Sequence, residues 1–133
     1  MKIIQKNKIS VAPLFNLSLL QQECNSHPSL GIGVAEAATI AQTLYEYKLI
    51  SYPRTNCCYL SSSAWEECLT VLNLLNTKFI IPETLSKRYI FNDSKVNEHH
   101  TIIPLELNSN IDKLTPIEHK VYNLIVNRFI ENF

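Results

Sequence analysis

The chain has 133 residues, the length of one domain able to bury a sizeable core. With 12 basic and 12 acidic residues its formal net charge is zero. That argues against a stand-alone duplex-DNA binder, whose non-specific affinity comes mainly from neutralised phosphates, though not against a local groove or a partner domain that supplies the positive field. A hydrophobic share of 46% against 18% charged argues against disorder. No apolar run approaches a membrane span and the N-terminus lacks a signal-peptide core, so a soluble, cytoplasmic chain with no membrane partner is expected.

Residues 1 to 12 alternate loosely and stop before Pro13, reading as a lead-in strand or linker to a single domain over 1–133. Asn16 or Ser18 is placed to cap a helix, Ser18 and Gln21 having capping-box spacing, and Leu17, Leu20 and Cys24 share a face to about residue 25. The loop NSHPSLGIG, broken by Pro28, Gly31 and Gly33, follows. Val34, Ala37, Ala38, Ala41, Leu44 and Tyr45 then recur at helical spacing and predict a helix over 34–48 whose alanines let another backbone come close. Two helices across a Gly-containing loop, then an extended segment, have the outline of a helix-turn-helix with a wing. The second helix, with Glu36, Thr39, Gln42, Thr43 and Glu46 as its polar positions, is poorly equipped to read a major groove. It suits a support for the segment after it.

That segment is Leu49 to Asn56, LISYPRTN. Pro53 fixes its own φ, carries no N–H and pushes Tyr52 towards an extended conformation. Residues two apart on an extended segment share a face, so Tyr52 and Arg54 should point the same way. A phenol beside a guanidinium suits chemistry on a phosphate: the first is a potential nucleophile, the second a planar fork of donors for phosphate oxygens.

Any of Ser61, Ser62 and Ser63 is placed to cap the next helix, Ser63 with Glu66 fitting a capping box, and the stripe Ala64, Trp65, Cys68, Val71, Leu72 and Leu75 carries it to about residue 76. Trp65 lies inside that stripe and reads as a core residue rather than a base-stacking platform. Residues 79–97 read as a short helix or strand with a polar loop, followed by Glu98, His99 and His100. Thr115, Pro116 and Glu118 form a capping box opening a final helix, with Ile117, Val121, Leu124, Ile125 and Phe129 on its buried face. Cysteines at 24, 57, 58 and 68 have neither CxxC nor zinc-site spacing, so reduced thiols and no metal are expected. The elements read in this way are mainly helical.

Four blocks, PLFNLSLLQ, AQTLYEYKLISYPRTN, EHHTIIP and LTPIEHKVYNLIVNRF, follow in the order of the opening helix, tyrosine block, histidine block and closing helix of type IA DNA topoisomerases. Together they run from about residue 12 to the end, and the chain most closely resembles the topoisomerase III branch. The resemblance implies a fold that is mainly α with a small β-sheet (α+β), the winged-helix-like domain III of that family, within a larger enzyme. It makes Tyr52 the nucleophile, Arg54 the arginine on the scissile phosphate, and His99, rather than His100, the histidine bonding the same phosphate. It implies single-stranded DNA as partner, transesterification through a 5′-phosphotyrosine, and strand passage with the parent's remaining domains. It also implies Mg²⁺ held by a toprim-type domain outside this chain, without which the chain alone is expected to be inactive. Two positions depart from the pattern: Asn56 stands where aspartate is usual and Leu105 where threonine is common. The alternative is a non-enzymatic winged-helix module binding nucleic acid or protein, with Tyr52 merely packed.

Overall fold

In the computed structural model, residues 11–83, 85 and 90–133 are described; the strand or linker expected over residues 1 to 12 lies almost wholly outside them. Helix α1 is Leu17–Ser26. The Asn16 side chain accepts from the Leu19 N–H at 2.8 Å, so Asn16, not Ser18, is the N-cap. Leu20 and Cys24 are its buried pair. Helix α2, Val34–Glu46, buries Ala37, Ile40, Ala41 and Leu44 and packs against α1. It stops two residues short of the expected end because Lys48 turns left-handed, with φ of 62°. The Lys48 N–H then bonds Tyr45 O at 2.8 Å and the Leu49 N–H bonds Leu44 O at 3.0 Å. Those two bonds form a Schellman closure, and its apolar partners Leu44 and Leu49 are both fully buried.

Helix α3 spans Trp65–Leu75, entered through a 3₁₀ turn, Ser62–Ala64. The expected Ser63 cap is not formed. The Ser63 hydroxyl pairs with Ser61 at 2.9 Å, while the Ser62 N–H and hydroxyl both reach the Asp93 carboxylate, at 2.8 and 2.7 Å. A charged acceptor from a distant loop replaces the local one. Trp65 stands edge-on to Phe91, with centroids 5.5 Å apart, in a cluster completed by Phe133 and Phe129. Helix α4, Pro116–Glu131, opens on the expected capping box, with the Thr115 hydroxyl accepting from Glu118 N–H and the Glu118 carboxylate from Thr115 N–H. Its buried face, Val121, Tyr122, Ile125, Val126, Phe129 and Ile130, fills the core beside α2.

The described chain is mainly helical, and in place of the expected small sheet it has isolated bridges: Phe15 with Ile102, Ile50 with Pro104, and Leu60 with Phe91. Residues 99–105 run antiparallel to 49–55, putting Ser51 opposite Ile103 and Thr55 opposite His99. Pro53 and Pro104 have no N–H to give to a ladder. Side-chain hydroxyls make the missing links: Ser51 donates to Thr101 O at 3.2 Å and accepts from Ile103 N–H at 2.9 Å, and Thr55 donates to His99 O at 3.3 Å. Among the described residues no helix is long and apolar enough to cross a membrane.

Candidate active site

The pairing of 49–55 with 99–105 decides what faces out. Ser51, Pro53 and Thr55 are buried against the core, whereas Tyr52 is half-buried and Arg54 and Asn56 are exposed. This period-two alternation turns Tyr52 and Arg54 to one side. The start of α1 secures the far end: the Leu17 N–H bonds Thr55 O at 3.1 Å and the Asn16 side chain donates to Asn56 O at 3.0 Å. The backbone carrying the tyrosine and arginine is therefore tied down on both flanks.

Register then brings in the histidine. The His99 ring lies against the Tyr52 ring, with centroids 4.4 Å apart and planes at 36°. The His100 ring turns back instead, its Nδ1 lying 2.6 Å from the Thr101 carbonyl. Of the two adjacent histidines, only His99 reaches the phenol. An open cleft of about 210 Å³ is lined by Arg54, Thr55, Asn56, Cys57, Asn97, Glu98 and His99; Tyr52 is not in its lining and adjoins it through the His99 ring. Arg54 lines that cleft and makes no ion pair among the described residues.

The sequence set Tyr45 on the apolar stripe of α2 and not at the site. It lies in the last turn of α2 with its ring edge-on to Tyr52, centroids 5.3 Å apart and planes at 80°. The two tyrosines are seven residues apart across a helix end, and without the Schellman turn no periodicity rule puts them in contact. Asn97, Glu98 and Cys57 also join the cleft unannounced. Cys57 Sγ is held 3.2 Å from Lys95 O and 3.3 Å from Tyr59 N. The four cysteines are free thiols.

For a divalent cation the donor set does not fit. Among the described residues no three His, Cys, Asp or Glu side chains gather, and Glu98 is the one carboxylate they give to the cleft. Hard cations take six or more oxygens, several of them carboxylates or waters held by carboxylates.

The chain matches the DNA topoisomerase family model over residues 1–133. It is 40% identical over 137 aligned residues to DNA topoisomerase 3 of Staphylococcus epidermidis, covering 96% of this chain and 19% of that protein. With DNA topoisomerase 3 of Shouchella clausii the identity is 35% over 131 residues (91% and 18%), and with that of Bacillus cereus 35% over 140 residues (98% and 19%). The chain thus spans about a fifth of the length of these relatives. With its tyrosine segment, its histidine block and both flanking helices inside the matched region, the chain belongs to the type IA DNA topoisomerase family, on the topoisomerase III side.

Proposed function

We propose that this chain is the tyrosine-bearing unit of a type IA topoisomerase, corresponding to the winged-helix-like domain III of that family, and that Tyr52, Arg54 and His99 act together on a phosphodiester of single-stranded DNA. One observation carries the reading: a half-buried phenol whose ring lies 4.4 Å from that of a histidine, where that histidine and an arginine without an ion pair among the described residues line the same open cleft. The Tyr52 oxygen attacks phosphorus, the phenolic proton is given up, and the bond from phosphorus to the 3′ oxygen breaks. The 3′ oxygen leaves as a hydroxyl, and the 5′ end stays on Tyr52 as a phosphotyrosine ester. Reversal reseals the strand. Arg54 neutralises the non-bridging oxygens as charge grows on them, and His99 donates a hydrogen bond to the same phosphate.

The activity belongs to the whole enzyme, in the cytoplasm. The Mg²⁺ that the family resemblance implies would take its ligands from other domains, so the isolated chain is expected neither to cleave efficiently nor to relax supercoils. The test is a trap. The parent enzyme is mixed with end-labelled single-stranded DNA and stopped with denaturant, and covalent protein–DNA adduct is counted. Wild type should give an adduct and Tyr52→Phe none, while Arg54→Ala should lower the yield by about a hundredfold, the usual cost of losing one transition-state donor. Equal adduct from Tyr52→Phe would overturn Tyr52 as the nucleophile, and equal DNA retention by both forms with no covalent adduct from either would make the chain a binding module.

A further inference from the structure

Backbone anchoring does not by itself orient a phenol. Tyr52 is held on either side by the buried Ser51 and Pro53, yet its side chain turns about two torsions, and its hydroxyl makes no hydrogen bond among the described residues that would select a rotamer. Two ring contacts do the selecting, His99 at 4.4 Å and Tyr45 at 5.3 Å. They differ in rigidity. His99 is an exposed residue between a polar loop and the paired stretch, and in the proposed reaction it also serves the phosphate. Tyr45 is fixed to α2, and its own carbonyl closes the helix by accepting from Lys48 N–H at 2.8 Å.

We propose that Tyr45 is a positioning residue for the Tyr52 phenol: its ring, at 80° to that of Tyr52, restrains rotation of the Tyr52 side chain away from His99 and so keeps the oxygen beside the cleft that His99 and Arg54 line. The inference rests on Tyr52 being the reacting residue. Tyr45 is 38% exposed, one of the few large apolar side chains on this surface, so core packing does not account for its place. An edge-to-face aromatic contact shifts a rotamer population by between about twofold and tenfold. Holding a nucleophile in its reactive geometry is worth at least as much in rate.

The experiment uses the full-length parent enzyme with short labelled single-stranded DNA, measuring both the dissociation constant and the single-turnover rate of adduct formation at saturating DNA. Tyr45→Leu keeps bulk but loses the ring edge, and should slow adduct formation about fivefold to tenfold with an unchanged dissociation constant. Tyr45→Phe, which keeps the edge, should recover at least half of the wild-type rate. A Tyr45→Leu enzyme at wild-type rate would overturn the inference. So would a defect confined to DNA affinity, which would make Tyr45 a nucleobase platform. Tyr52→Phe in the same assay separates the two claims: adduct persisting there overturns the nucleophile assignment itself, whatever Tyr45 does.

Discussion

Tyr122 is fully buried on α4 and its hydroxyl has no hydrogen-bond partner among the described residues. Burial pushes its phenol up to about 12. The buried thiols behave alike: burial, then the charge of Glu23, raises Cys24 to about 11, and burial, then Glu67, raises Cys68 to about 12. All three release protons later in the folded state than in the unfolded chain, where thiols ionise near 8.5 and phenols near 10. Their contribution to stability is therefore complete below the unfolded values and is lost as pH climbs towards about 12. Tyr122→Phe should leave stability at pH 7 unchanged or raised by roughly 1 kcal/mol, since an unpaired buried hydroxyl is a cost. Thermal melts at neutral and alkaline pH should show the variant's advantage widening above about pH 10. A loss at pH 7 would mean that the hydroxyl has a partner. At this scale the site was half legible. Tyr52 and Arg54 could be placed on one face because Pro53 acts on its immediate neighbours; Tyr45 could not, because its contact depends on a turn formed by a lysine.

Lys48 also accounts for an element boundary. The apolar pattern of α2 runs on towards Tyr47, and only the left-handed residue stops it; glycine is the usual sequence signal for such a stop, and here it is absent. A β-carbon in this conformation costs roughly 1–2 kcal/mol, part of which glycine returns as unfolded-state entropy. Lys48→Gly should thus stabilise the chain by roughly 0.5–1 kcal/mol, seen as a higher urea midpoint at unchanged slope. The Tyr45–Tyr52 contact should survive, because the closing bonds are backbone to backbone. Elsewhere the sequence named elements well where the determinant was local. The Thr115–Glu118 box needed only neighbours three residues away, and the stripes held in part. In α2 Ala37, Ala41 and Leu44 are buried, but Val34 and Tyr45 are exposed and Ile40 is buried instead. In α4 Val121, Ile125 and Phe129 are buried with Tyr122, Val126 and Ile130 beside them, while Ile117 and Leu124 are half-buried. It failed at Ser63 because Asp93, some 30 residues on, recruits Ser62 instead. The small sheet came with the family resemblance and not from alternation, and between 49–55 and 99–105 the described residues carry an isolated bridge and hydroxyl links instead.

For the molecule as a whole, the candidate site exists only because two stretches nearly 50 residues apart in sequence lie in register, and Ser51 is where that register is bonded. Its hydroxyl donates to Thr101 O and accepts from Ile103 N–H, both across the pair and both buried. Ser51→Ala would leave the buried Ile103 N–H without its partner and the Thr101 carbonyl with the His100 ring alone, at a cost of about 1–3 kcal/mol. Thr39→Ala removes an exposed hydroxyl that bonds only its own helix, to Ala35 O at 3.1 Å, and should cost within about 0.5 kcal/mol. Amide exchange distinguishes a general loss from a local one. If Ser51 fastens the two halves, the Ile103 and Ser51 amides should lose protection beyond the global change, while amides in α4 fall only by the global amount. His99 and Tyr52 would then no longer be held in register, and on the proposed mechanism adduct formation by the parent enzyme should drop by more than the unfolded fraction explains. Uniform loss of protection with adduct yield tracking stability alone would show that the register is set by the surrounding core, with Ser51 only one bond among many.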